Sequence, residues 1–173
     1  MKKYFTVIFL IMFFVLSFSQ TKNVFDIARS GTLEEMKALV SQNPDIINSK
    51  NERGFTPLIL ACYRGNTEVA KYLIDNVKDL NYLSQEGTAL SSLCINYNKE
   101  LVEKMLSKNA DPNIQDSFGN TPLLWAVKRG NLELVKILLQ NKADRTIKDS
   151  LGISAFEYAV KSNNNEMINL LKF

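Results

Sequence analysis

Apolar positions along most of this chain fall into short helical stripes that recur, rather than into one continuous pattern. Val69, Ala70, Leu73 and Ile74 follow an i, i+1, i+4, i+5 spacing, as do Leu101, Val102, Met105, Leu106 and Leu134, Val135, Leu138, Leu139; Met167, Ile168 and Leu171 continue the register. Such a stripe is one helix face that a neighbour must cover. Each stripe is preceded by a second apolar segment: Gly54–Gly65, Gly87–Tyr97, Gly119–Gly130 and Gly152–Asn163. The hydroxyl residues Thr56, Thr88, Thr121 and Ser154 in these segments are separated by 32, 33 and 33 residues. A fainter copy lies upstream, where Ile27–Gly31 precedes Met36, Leu39 and Val40, its glycine 34 residues before Gly65. A fixed period of this length signals stacked units rather than a single core.

Each feature of the unit has a mechanical reason. Thr before Pro starts a helix, because the hydroxyl caps an orphan N–H and Pro at the first helical position has none to leave unpaired. Gly65 and Gly130 end that helix by entering the left-handed region, and Asn163 can do the same. Tyr97 stands at the equivalent point and predicts strain or an altered turn. Asn109–Asn113 and Asp116–Gly119 are turn-rich and are expected to bracket a short extended hairpin. Neither helix is stable alone, so stacking supplies the core.

Gly119-Asn-Thr-Pro-Leu-Leu-Trp-Ala-Val-Lys-Arg-Gly-Asn-Leu-Glu-Leu-Val-Lys-Ile-Leu-Leu-Gln-Asn-Lys-Ala-Asp144 resembles the ankyrin repeat over nearly its whole length, and Gly54 to Ile74 does so almost as well. The resemblance implies an all-α ankyrin-repeat solenoid of about five helix-turn-helix units with short β-hairpin tips. Its divisions are a degenerate N-terminal capping repeat over 20–53, repeats over 54–86, 87–118 and 119–151, and a C-terminal capping repeat over 152–173. The sequence departs from the family after Thr-Pro-Leu, where the usual His is Ile59, Ser91, Leu124 or Glu157, so the family's Thr–His bond is missing and other packing must set the register. The third unit loses a residue between Gly87 and Thr88 and has Ala89 in place of Pro, which marks it as the weakest.

The first nineteen residues change the reading of the compartment. Lys2 and Lys3 precede the run Tyr4 to Leu16, in which Thr6 is the only non-apolar side chain, and Ser17-Phe18-Ser19 offers small residues at a cleavage site. Residues 1–19 are expected to be a bacterial-type signal peptide cut after Ser19, with export to the periplasm or the exterior; an uncleaved N-terminal anchor is the alternative. Cleavage removes both lysines and lowers the net charge from +3 to +1. The mature chain then has no field for steering nucleic acid, and no membrane attachment is expected of it.

The chain has no histidine, which removes Ser-His and Cys-His nucleophilic pairs and every His-containing metal site. Cys62 and Cys94 stand six residues after Thr56 and Thr88. Equivalent atoms on stacked helices lie roughly 8–10 Å apart, beyond the ~7 Å reach of a disulfide, so both read as core, with a redox clamp the alternative. The carboxylates read as helix-start and turn residues: Glu34, Glu35, Glu68, Glu100, Glu103 and Glu133 early in second helices, and Asp111, Asp116, Asp144 and Asp149 in turns. No catalysis, cofactor or metal is expected. A carboxylate-dependent hydrolase would need facing acids around Glu86 or Asp116.

What the resemblance leaves for function is the exposed side of the first helices and the hairpin tips, which hold protein partners in this family. The positions so implied are Arg53, Phe55, Phe118, Asn120, Leu151 and Ile153 at tips, and Tyr63, Arg64, Ile95, Asn96, Lys128, Arg129 and Lys161 on helices. Large apolar tips beside Arg64, Lys128, Arg129 and Lys161 suit a monomeric module that binds a protein with an acidic, partly apolar surface. An inhibitor or immunity role is the expected elaboration, and a structural or surface spacer the alternative. A further possibility is that the tip side chains fold back on their own hairpins and the lysines are merely solvated.

Overall fold

A computed structural model of the chain describes residues 22–172. The expected signal peptide over 1–19 lies outside the described residues. Among these, five helix pairs follow one another: α1 Val24–Ser30 with α2 Leu33–Gln42, α3 Pro57–Arg64 with α4 Thr67–Asn76, α5 Ala89–Ile95 with α6 Lys99–Ser107, α7 Pro122–Lys128 with α8 Leu132–Gln140, and α9 Ala155–Lys161 with α10 Asn165–Leu171. A 3-10 turn, Pro44–Asn48, takes up the additional length after α2.

The hydroxyl caps do what their spacing implies. Thr56, Thr88, Thr121 and Ser154 accept the backbone N–H three residues on, from Ile59, Ser91, Leu124 and Glu157. The second helix of the first pair is capped by Thr32, and those of the later pairs start on Asn: Asn98, Asn131 and Asn164 accept from Leu101, Leu134 and Met167. Asn66 stands at the same point but turns to the preceding unit, donating to the carbonyls of Ile27 and Gly31 at 3.1 and 3.0 Å. Gly65, Gly130 and Asn163 take left-handed φ values of 71, 68 and 51°. Tyr97 does not; α5 ends on Asn96 with φ −115°, so the altered turn is what forms. The tips are tighter than a hairpin of paired strands. Among the described residues they carry isolated bridges, Ser84–Gly87 and Lys148–Ser154.

The apolar stripes meet between the layers. Leu73, Leu93, Leu101, Met105, Leu123, Leu134, Leu138, Met167 and Leu171 are fully buried, with Cys62 and Cys94 among them as free thiols. At the four positions where the family has His, Ile59 and Leu124 are buried apolar groups, Ser91 lies 3.2 Å from Thr88 Oγ1, and Glu157 closes a capping box on Ser154. Register between units comes instead from amide side chains. Asn48, Asn81 and Asn113 accept the backbone N–H of Lys78, Asp111 and Asp144 at 2.9, 2.8 and 2.7 Å, about thirty residues on each time. Asn96 donates to Tyr63 O and Gln115 to Lys148 O, both at 3.0 Å. The first helices pack on one another more closely than the second helices do.

Candidate partner-binding face

Three rows of equivalent positions line the first-helix side. Leu60, Ser92, Trp125 and Tyr158 form the innermost row; Tyr63, Ile95, Lys128 and Lys161 form the next; Arg64, Asn96, Arg129 and Ser162 stand at the helix ends. The two halves of the stack use these rows differently.

In the N-terminal half the rows enclose an open groove of about 270 Å³. Phe55, Ile59 and Leu60 form its floor and are almost completely buried, while Tyr63 is 48% exposed and Ile95 half-buried at its wall. Arg29, Arg53 and Arg64 stand around it with a single carboxylate, Glu86. Arg29 is held by Asp26 at 2.9 Å, and Arg53 by Glu86 of the next tip at 2.5 Å. Arg64 forms no ion pair among the described residues, and its guanidinium sits 5.8 Å from the Tyr63 ring. The sequence reading is corrected at Phe55, which is not an exposed tip residue. The two N–H groups of Arg53 and Phe55 both bond to Asn51 Oδ1, so the turn folds inward, and the Arg53 guanidinium covers the Phe55 ring at 5.0 Å.

In the C-terminal half the chain fills its own surface. Asp149 has a side chain only 2% exposed and accepts four bonds, from Tyr158 OH at 2.6 Å, Lys128 Nζ at 2.9 Å, Leu151 N at 3.0 Å and Ile153 N at 3.1 Å. Burial alone would raise its pKa, but these donors hold it well below the usual carboxylate range. Lys128 Nζ also donates to Asn120 Oδ1 at 2.5 Å and lies 4.3 Å from the centre of the Tyr158 ring. Its burial opposes the charge, yet Asp149 and Tyr158 raise its pKa on balance. Asp116 repeats the arrangement one unit earlier, accepting Phe118 N, Asn120 N and Trp125 Nε1, each at 2.9 Å. One expected contact residue is therefore corrected: Asn120 is 3% exposed and bound to Lys128 and Asp116, while Lys128 stays at the surface as a residue with its ammonium engaged by Asp149 and Asn120. Sequence reading placed both aspartates in turns but missed the reach of nine residues from each to a ring donor on the following helix.

The remaining candidates stay at the surface. Phe118 and Leu151 occupy adjacent tips, 66% and 75% exposed, tied by a bond from Ser150 N to Phe118 O. Ile153 is half-buried, and Asn96 is exposed. Arg129 makes no ion pair among the described residues, and Lys161 sits 5.8 Å from the Tyr158 ring. On the second helices, by contrast, charges are paired across units: Lys71 with Glu100 at 2.8 Å, Lys99 with Glu133 and Lys104 with Asp75 at 2.7 Å, and Lys136 with Glu166 at 3.1 Å. Carboxylates are paired there, and among the described residues the first-helix face keeps Arg64, Arg129 and Lys161 without a carboxylate partner.

Other chemistry is sparse. Burial pushes the Cys62 thiol up to about 12 and the Cys94 thiol further in the same direction, so neither is a nucleophile near neutral pH. The Tyr97 hydroxyl is buried beside the Glu133 carboxylate without a hydrogen bond of good geometry, and burial, Glu133 and the Glu103 carboxylate push it up to about 12. Among the described residues no group of three or more Cys, Asp or Glu side chains could hold a metal ion, and no helix is long and apolar enough to cross a membrane. Glu86 and Asp116, the carboxylates a hydrolase would need, are taken by Arg53 and by the tip backbone.

Helix pairs stacked in register, with the first helices forming one continuous face, define a repeat solenoid. The sequence matches the family described as ankyrin repeats (3 copies) over residues 24–116 and 90–172, and the chain belongs to that family. It is similar to the mouse (Mus musculus) protein fem-1 homolog A-like, 33% identical over 54% of this chain and 14% of that protein. It is also similar to ankyrin repeat, SAM and basic leucine zipper domain-containing protein 1 of Carollia perspicillata, 31% identical over 49% of this chain and 19% of that protein. A third relative is ankyrin repeat and SAM domain-containing protein 6 of Rattus norvegicus, 30% identical over 57% of this chain and 11% of that protein. The matches thus span less than a fifth of each of these relatives.

Proposed function

We propose that the chain is an exported protein-binding module that holds an acidic, partly apolar partner against its first-helix face. Ankyrin repeats are generally protein–protein interaction modules. The observation that carries the finer reading is the division of charge: carboxylates are paired on the second helices, while among the described residues Arg64 at the edge of the N-terminal groove and Arg129 further along the same face form no ion pair. Phe118 and Leu151 extend the contact at the tips. In this reading the module restrains or neutralises its partner and performs no chemistry of its own. Export rests on the charged start and apolar run of residues 1–19, and N-terminal sequencing of the mature protein should begin at Gln20.

The test is partner capture by the wild type and by the Arg64→Glu/Arg129→Glu variant. Reversal of two exposed charges should abolish capture while leaving far-UV circular dichroism intact. Unchanged capture by the folded variant would refute the first-helix face as the contact.

A further inference from the structure

We infer that the N-terminal groove accepts one extended acidic segment bearing an aromatic or large aliphatic side chain, and that Glu86 occupies the place of the segment's carboxylate until it arrives. This rests on the protein-binding reading and specifies the partner element. A volume of about 270 Å³ falls under the ~300–1,000 Å³ typical of small-molecule sites. It suits one or two side chains of a polypeptide. Ile95 and the exposed Tyr63 ring offer an apolar seat over the buried Leu60, and Arg64 stands at its edge with no carboxylate partner among the described residues.

Arg53 is the second cation at this edge, and its guanidinium is engaged by Glu86 Oε1 of the neighbouring tip. Both side chains are largely in solvent, 72% and 59% exposed, so the pair is screened and exchanges at little cost. A carboxylate arriving from a partner competes with Glu86 for the same donors. Glu86 is therefore an internal competitor, and removing its charge should strengthen binding rather than weaken it.

The probes are a random glutamate–tyrosine copolymer, polyglutamate of the same length and a lysine–tyrosine copolymer, titrated against the full chain by fluorescence anisotropy. The glutamate–tyrosine copolymer should bind best. Glu86→Gln should tighten its binding about 2–5-fold, the value of an exposed ion pair. Glu103→Gln, an equal charge change on the exposed surface of α6, should leave it unchanged, and Arg64→Glu should weaken it about tenfold through loss of a charge-assisted contact. Binding to polyglutamate as tight as to the copolymer would overturn the apolar seat. Equal tightening by Glu86→Gln and Glu103→Gln, no tightening by Glu86→Gln, or no binding of the copolymer would overturn the inference. Those results are distinct from failure of the protein-binding reading, which is decided by capture of the partner itself.

Discussion

Replacing Asp149 by Ala should destabilise the C-terminal two units severely, and the structure sets the scale. The substitution removes the charge partner of the Lys128 ammonium, whose side chain is 24% exposed and which keeps Asn120 Oδ1 as an acceptor, and it strands the Tyr158 hydroxyl and two backbone N–H groups. Breaking a buried ion pair from one side costs ~3–5 kcal/mol, and the partial access of Lys128 to water places the loss near the lower end, ~3 kcal/mol. For a chain of this size that corresponds to a melting temperature lower by ~6–12 °C. The acid dependence has a defined sign. The folded-state pKa of Asp149 is depressed, so its contribution is fully present above the unfolded carboxylate pKa and fades as pH falls below it toward the folded value. Urea titrations of wild type and Asp149→Asn between pH 6 and 3 isolate this contribution, because the other depressed carboxylates, Asp75 and Glu133 among them, are common to both proteins. The stability difference should shrink as pH falls below about 4. A loss under 0.5 kcal/mol for Asp149→Ala, or a difference that does not change with pH, would refute the role assigned to the network.

Gly119→Ala should cost much more than Gly130→Ala in thermal melts. Both are left-handed, which costs ~1–2 kcal/mol for alanine, but at Gly119 the added Cβ would meet Ser150 N at 2.7 Å, whereas at Gly130 it meets nothing within 4 Å. Cys62 and Cys94 should resist a thiol reagent in the native protein at pH 8 and react together once it is unfolded in urea; fast native labelling of either would contradict their burial. Tyr97→Phe removes a buried hydroxyl that lies beside Glu133 without a well-formed hydrogen bond, so chemical denaturation should show a stability change under ~1 kcal/mol, and a larger loss would show that the contact with Glu133 is a working bond.

The repeat was legible because its signals are local. The Thr caps, the glycine or Asn163 stops and the four apolar stripes each sit within one unit, and spacing alone places them. Tyr97 could likewise be recognised as unable to take the glycine turn. What escaped depends on direction and distance. Phe55 looks like a tip residue in sequence, yet Asn51 binds the turn's N–H groups and swings that ring inward. Lys128 reads as a free surface cation until the fold brings Asp149, 21 positions on, against it. Asn120 is drawn inside by the same network. The pairing of Arg53 with Glu86 is equally invisible, because it joins two tips 33 residues apart. The Asp116–Trp125 and Asp149–Tyr158 contacts share a nine-residue spacing, a repeated signal that the sequence did carry.

Site-specific photocrosslinking in the native host decides whether the first-helix face is where a partner sits. A photoreactive phenylalanine analogue replaces Tyr63 on the first-helix face in one variant and Glu103 on the exposed surface of α6 in another, and adducts are identified by mass spectrometry. A binding role for the first-helix face predicts a defined protein adduct from position 63, lost when Arg64→Glu is added, and none from position 103. Adducts from position 103 alone, or an adduct from position 63 that survives Arg64→Glu undiminished, would contradict it.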